Sequence, residues 1–255
     1  YEDIDEALAK GGFDAVDICL PTYLHSPVSV AAANHGYHVL CEKPMALTLQ
    51  QANEMTAAAR QAGIVLMIAQ CRRFDNHWMT FRKAVQDGVI GRPVVWRSIS
   101  ASPGPSQTWY YDRDQGGGPL IDGAIHNYDF ARAIFGEARS AYAAGLHLCL
   151  DNTAVDTGST TVRFANDDML LLSWSWAMPA KVYSGCEDVL GPEGVLYLNP
   201  PSHAPKPSEE VAPGQGYLVV QRQDGRYDYI YYTKNNMYTA EIAAFHLIKQ
   251  RGQYA

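Results

Sequence analysis

Residues 15–44 read AVDICLPTYLHSPVSVAAANHGYHVLCEKP, and the rest of the fold can be worked out from this stretch. Ala15–Leu20 is a short apolar run with Asp17 inside it, long enough for a buried strand. Ser26-Pro27 then supplies an N-cap and a first-turn proline, opening an Ala/Val-rich helix that runs to Gly36. Tyr37–Cys41 is the next strand. Thr48 with Gln51 fits a capping box, so a further helix opens there and ends near Gly63. Ile64–Ala69 is a third strand. Strands alternating with helices of this length predict a parallel sheet with crossover connections.

From about Pro93 the pattern changes. Val94–Ser100 has the pattern of a strand, and a Pro/Gly/Ser-rich loop follows. One helix is predicted from Pro119 to Phe135, stopped by Gly136. Long strand candidates come next: Ala138–Leu150, Val155–Ala165, Met169–Ala177, Val182–Leu190 and Val195–Leu198. Leu170, Leu172, Trp174 and Trp176 alternate with Leu171, Ser173 and Ser175, the period of a sheet packed more heavily on one face. Asp224-Gly225 joins Leu218–Gln223 to Arg226–Thr233 as a hairpin. Pro200–Pro213, with five prolines, reads as a surface loop, and Met237–Gln250 is apolar at helical spacing. The expected fold class is α/β plus α+β. A partial parallel sheet over residues 1–92 is followed by an α+β unit, 93–255, with a large, mainly antiparallel, open-faced sheet, and helix Asn76–Asp87 bridges the two.

The 255 residues are 47% hydrophobic and 18% charged, enough to bury a sizeable core. A net charge of −7 and the lack of any basic stretch argue against a nucleic-acid surface, since neutralising phosphates takes clustered Lys and Arg. The expected partner is a small molecule. Five scattered cysteines with no Cys-x-x-Cys pair read as thiols in a reducing compartment, hence a cytoplasmic protein. No run of eighteen apolar residues occurs, so no membrane-spanning helix is expected. The chain opens on Tyr1 rather than Met and enters helix-like sequence almost at once. Further sequence is therefore expected before residue 1, and any signal peptide would lie there.

An open parallel sheet binds ligands beyond the carboxyl ends of its strands. Two strand ends here carry polar groups: Leu20-Pro21-Thr22-Tyr23-Leu24-His25 and Leu40-Cys41-Glu42-Lys43-Pro44. Polar turns are common at such places, but a Glu-Lys pair directly after an apolar strand is unusual, because neither residue favours partial burial without a partner. A third feature lies in the second unit, from Gly116-Gly117-Gly118-Pro119 to Asp129. On one continuous helix Asp122 and His126, four apart, share a face and can hydrogen-bond. The three glycines let backbone approach a neighbour closely. A lone His on a helix is more often structural than catalytic; an Asp and a Lys beside it change that weighing.

Taken together, Pro21-Thr22-x-x-His25, Glu42-Lys43-Pro44, Arg73-Phe74 and Gly-Gly-x-Leu-x-Asp-x-x-x-His-x-x-Asp from Gly117 to Asp129 resemble, in the same order, the glucose–fructose oxidoreductase and inositol dehydrogenase family (Gfo/Idh/MocA). The resemblance implies that residues 1–92 are part of a Rossmann-type dinucleotide-binding domain. It implies an oxidoreductase that transfers a hydride between NAD or NADP and a secondary alcohol of a sugar, inositol or related polyol. Pro21, Thr22, His25, Glu42, Lys43 and Arg73 would contact the cofactor; Lys43, Asp122 and His126 would be catalytic and, with Trp109, would contact substrate. Arg72 is an extra basic residue beside the family's arginine, and the sequence leaves open which of the two faces the site. His126 would take the hydroxyl proton, as an imidazole titrating near neutrality can. A cationic Lys43 would stabilise negative charge developing on oxygen.

The glycine-rich turn that cradles a pyrophosphate in this family does not precede these motifs. Gly116-Gly117-Gly118 is no substitute, since no buried strand leads directly into it. A fragment without that turn is expected to bind a dinucleotide poorly. The acidic or basic residue that separates NAD from NADP preference is missing with it. Two other readings remain: an NAD-retaining glycoside-processing enzyme on the same scaffold, and a non-catalytic sugar-binding relative. A metal site on Asp122 and His126 is weaker, since catalytic zinc usually takes three protein ligands. A homodimer or homotetramer is expected through the open sheet face.

Overall fold

Thr48 and Gln51 close on each other as their spacing requires. The Thr48 hydroxyl accepts from Gln51 N at 3.2 Å and Gln51 Oε1 accepts from Thr48 N at 3.2 Å. The helix they open, α3 (Leu49–Ala62), stops at Gly63 in the left-handed conformation, φ 66°. The computed structural model describes residues 3–208 and 210–251. A short helix, α1 (Ile4–Lys10), leads into β1 (Ala15–Ile18), then α2 (His25–Asn34), β2 (His38–Glu42), α3 and β3 (Leu66–Ala69). The three strands pair in parallel in the order β1-β2-β3. Val39, Cys41, Ala32, Ala33, Met55 and Ile64 fill the core on one side of this sheet. A groove of about 440 Å³ runs along β1, lined by Leu8, Phe13, Val16, Ile18 and Val28 among others.

The chain then enters α4 (Asn76–Gln86) and a second, eight-stranded sheet, ordered β11-β10-β9-β8-β4-β7-β6-β5. Its strands are β4 (Val95–Ala101), β5 (Ala138–Leu146), β6 (Thr157–Phe164), β7 (Met169–Ser175), β8 (Ser184–Gly191), β9 (Gly194–Tyr197), β10 (Gln215–Arg222) and β11 (Tyr227–Thr233), with α5 (Ile125–Phe135) between β4 and β5 and α6 (Met237–Arg251) after β11. Neighbours are antiparallel except β4 and β7, which run parallel. One face carries Trp96, Leu170, Leu172, Val189, Leu196, Leu218 and Val220 and packs on Phe81, Phe130 and Ile134 of α4 and α5. The fold is thus a Rossmann-like parallel sheet beside a larger mixed sheet, as the alternation of periods implied.

Packing adds what periodicity cannot. Phe81, Ala84 and Val85 of α4 lie in the core of the large sheet. Phe245 of α6 instead packs with Leu40, Val65 and Ala69 against the small sheet. Two predicted elements come out differently. Pro119–Phe135 is two pieces: a wide turn at Pro119–Gly123, closed by Ala124 N donating to Pro119 O at 2.8 Å, and then α5. Strand β5 ends at Leu146 because Leu148 N and Cys149 N turn inward to the buried Asp156 carboxylate, at 2.9 and 2.8 Å. The proline-rich segment is also more than a surface loop, since Tyr229 Oη donates to Pro205 O at 2.7 Å and His203 meets the Tyr197 ring, which places it over part of the large sheet's outer face. No helix among the described residues is long and apolar enough to cross a membrane.

Candidate active site

Lys43 leaves the carboxyl end of β2 and reaches the other sheet's helix layer. Its Nζ lies 2.9 Å from Asp122 Oδ1 and 3.2 Å from the Asp122 carbonyl oxygen. The pair is largely dry, with side-chain exposures of 18% for Lys43 and 5% for Asp122. Thr22, buried at the end of β1, donates from its hydroxyl to the other Asp122 oxygen at 3.4 Å. Asp122 therefore ties together two strand ends of one sheet and the turn before α5. Glu42 accepts from Lys43 N at 3.1 Å, which holds the strand end in shape. Pro21 is half-buried beside Thr22.

His126 stands at the start of α5, half-buried, and its Nδ1 is buried without a hydrogen-bond partner. Its pKa is pushed down to about 3, first by burial and then by the nearby Arg72 and Lys43 cations. The expected Asp122–His126 hydrogen bond does not form. The wide turn breaks helical periodicity between them, so a separation of four residues no longer puts both side chains on one face, and Asp122 is taken by Lys43 and Thr22. The convergence of Lys43, Asp122 and His126 instead runs through Lys43, which contacts Asp122 and lies within electrostatic reach of His126.

Of the two adjacent arginines, Arg72 is the one turned toward His126. Its guanidinium stacks 3.9 Å over Trp78 and its Nη1 is buried without a partner. Close by is Glu187, whose carboxyl is raised above its ordinary range mainly by burial. It accepts from Ser98 Oγ at 3.1 Å and from Asn127 Nδ2 at 3.4 Å. Arg73, expected at the cofactor, is exposed and forks onto Asp129 of α5 at 2.7 and 2.8 Å, docking the two segments. His25 is also not where it was expected. It is 1% exposed, with its ring nitrogens 2.7 Å from Pro44 O and 2.8 Å from Leu20 O, so it staples the two strand-end turns together and has no edge to offer a ligand.

The aromatic pair Trp109 and Tyr110 stacks at 3.7 Å in a short turn over the three glycines. A Cβ on Gly116 would sit 2.6 Å from Tyr110 Cα, and one on Gly118 would run into Val155 O. Only glycine permits this layering, which brings Tyr110 into the field of Asp122 and Glu42. Glu187 and Arg72 are the residues that sequence reasoning missed or left open. The signal for Glu187 was the pair Glu187-Asp188 in a strand: consecutive residues face opposite ways, so one acid had to point beneath α5. The other, Asp188, pairs with Arg97 at 2.7 Å.

Residues beyond the strand ends fit the nicotinamide end of a dinucleotide. Thr22, Glu42 and Lys43 present polar groups there, and His126, whose Nδ1 is buried and unpartnered, lies within electrostatic reach of Lys43. Among the described residues no strand runs through a glycine-rich turn into a helix, so they contain no pyrophosphate cradle of that kind.

Residues 1–70 match the family model described as oxidoreductase family, NAD-binding Rossmann fold. Residues 78–197 match that of the GFO/IDH/MocA C-terminal domain. The uncharacterized oxidoreductase YrbE of Bacillus subtilis is 34% identical over 67% of this chain and 51% of its own length. Myo-inositol 2-dehydrogenase of Thermotoga maritima is 34% identical over 64% of this chain and 50% of its own. The chain thus spans about half the length of these relatives. Among solved structures, an oxidoreductase from Thermotoga maritima superposes with a TM-score of 0.81 at 21% identity, over 99% of this chain and 73% of that one, which shows the shared fold.

Proposed function

Because this chain belongs to the Gfo/Idh/MocA oxidoreductase family, we propose that it oxidises a secondary alcohol of a sugar, inositol or related polyol, with NAD or NADP as the acceptor. The observation that carries the reading is the Lys43–Asp122 pair, 2.9 Å across the two sheets, beside an imidazole held neutral. Pro21, Thr22, Glu42 and Lys43 would hold the nicotinamide end of the cofactor, which would supply the two-electron redox chemistry. The protein supplies the proton acceptor and the field. His126 takes the hydroxyl proton at Nε2, since Nδ1 is buried. Lys43 donates a hydrogen bond to the alcohol oxygen as negative charge builds on it. Asp122 keeps the Lys43 ammonium in place, and Thr22 keeps Asp122 in place. Arg72, stacked on Trp78, adds a second fixed positive charge behind His126. Trp109 borders the substrate side. The whole protein acts as a homodimer or homotetramer joined through the outer face of the large sheet.

The test is NAD(P) reduction by the full-length protein against a panel of sugars, sugar acids and inositols. At least one should be oxidised, with turnover abolished by Lys43→Met. A panel without any turnover, or turnover indifferent to Lys43, sinks the reading.

A further inference from the structure

A cavity of about 330 Å³ opens beside the candidate active site, and of its lining residues only Trp109 enters the proposed reaction. Trp109, Asp112 and Gln115 form one wall; Asp151, Asn152 and Thr153, between β5 and β6, form the other. The walls are fastened together. Arg113 N donates to Thr153 Oγ1 at 2.9 Å and Ala154 N to Tyr111 O at 2.9 Å, so the cavity is set by the fold and not by loose loops. It also abuts the candidate active site. Gln115 O accepts from Tyr23 N at 3.1 Å, and the neighbouring Thr22 is the residue bonded to Asp122. Trp109 is the partition: it stacks on Tyr110, which feels Asp122 and Glu42, and it also lines the cavity.

The lining defines the ligand. An indole offers a surface on which the C–H face of a sugar ring can lie. The Asp112 and Asp151 carboxylates and the Asn152 amide oxygen offer acceptors, and the Gln115 amide a paired donor and acceptor, for vicinal hydroxyls, while Asn152 Nδ2 is held by Asp156 at 3.2 Å. No Lys or Arg lines the cavity, so a phosphate or a sugar acid would meet only like charge. The two aspartates make no cation cage, since among the described residues no three His, Cys, Asp or Glu are grouped to hold one. The volume is at the low end for ligand sites, about 300–1,000 Å³, and suits a single ring.

We propose that this cavity is a second carbohydrate subsite, holding the uncharged ring next to the one being oxidised, so that the substrate is a two-ring glycoside. The inference rests on the function proposed above, and it specifies the substrate class. Calorimetry of the 255-residue protein tests it. The probes are glucose-, galactose- and mannose-containing disaccharides of each linkage, against the parent monosaccharides and myo-inositol. At least one disaccharide should bind about tenfold tighter than its parent, and Asp151→Ala and Trp109→Ala should each remove most of that advantage. If no disaccharide binds tighter than its parent, or if no sugar binds at all, the subsite is overturned. The two readings fail separately. Monosaccharide oxidation with no preference for disaccharides removes the subsite and leaves the reaction. A Trp109- and Asp151-dependent preference in binding, with no NAD(P) reduction by any probe on the full-length protein, keeps the subsite and removes the reaction.

Discussion

Lys43 and Asp122 have two separable roles. Each is nearly dry, and removing one partner of a buried ion pair leaves the other charge stranded, at a typical cost of ~3 kcal/mol. Lys43→Met should therefore lower stability by that order and turnover by several orders of magnitude. The double variant Lys43→Met/Asp122→Leu should regain much of the stability and none of the turnover, as read by urea unfolding and steady-state rates. Recovery of both would assign Lys43 a structural role only. His126 has a sharper signature in pH. Its folded pKa of about 3 lies below the ordinary 6.5, so the imidazole is neutral throughout the working range. An unfolded chain takes up a proton near 6.5 that the folded one refuses until about 3, so this residue erodes stability as pH falls through that interval. Burial is the main cause, followed by the Arg72 and Lys43 cations. Arg72→Gln should thus raise the His126 pKa and move the acid limb of kcat/KM toward neutrality. His126→Asn should cost about 10²–10⁴ in rate at neutral pH, with partial recovery in alkali. An acid limb that stays put in Arg72→Gln would remove the electrostatic role given to that residue.

At the scale of elements, the parts most legible in the sequence were those set by local rules. The capping box at Thr48 and Gln51, the αL glycine at Gly63 and the Asp224-Gly225 hairpin are all decided within a few residues. The helix read from Pro119 to Phe135 was less legible. Its periodicity was sound from Ile125 onward, but Gly117 and Gly118 take positive φ and the wide turn follows, a backbone choice stabilised by Tyr110 and Val155 from other segments. Helix α6 was legible as a helix but not as a partner of the small sheet, because nothing local to Met237–Gln250 records which core Phe245 will join. That docking has a consequence at Glu241. The carboxyl is buried with Oε1 unpartnered, and its pKa is pushed up to about 7, by burial first and then by Glu42 and Asp17. The folded state therefore holds a proton that the unfolded chain releases near 4.5, and stability from this group is lost as pH rises through that span. Glu241→Gln should raise the Tm at pH 8 and change it little at pH 4. An equal shift at both would mean that charge is not what strains α6.

At the scale of the molecule, strand alternation made the two faces of the large sheet legible, while the covering of the outer face depends on contacts far apart in sequence. The segment after β9 shelters the region of Tyr197 and Tyr229. It leaves the opposite end open: every residue of β5 is exposed, with Tyr142 at 72% and Leu146 at 51%, and Ile99 and Leu171 face outward on the neighbouring strands. The register places Tyr142 opposite Thr161, Thr161 opposite Leu171 and Leu171 opposite Arg97, so these residues form one continuous row on a single face. An edge strand bare on both sides, continuous with a face that exposes Tyr142, Leu171 and Ile99, is the kind of surface that proteins cover with another chain. A second copy is the simplest cover, because a two-fold axis lets one patch bury itself against its equal. Sedimentation velocity should then show a dimer or tetramer, and Leu171→Glu should shift it to monomer. The charge would be carried into an interface centre, whereas on the free monomer Leu171 is already 37% exposed and can accept it at little cost to the fold. A wild-type protein that sediments as a monomer, or a Leu171→Glu protein that stays assembled, would place the interface elsewhere.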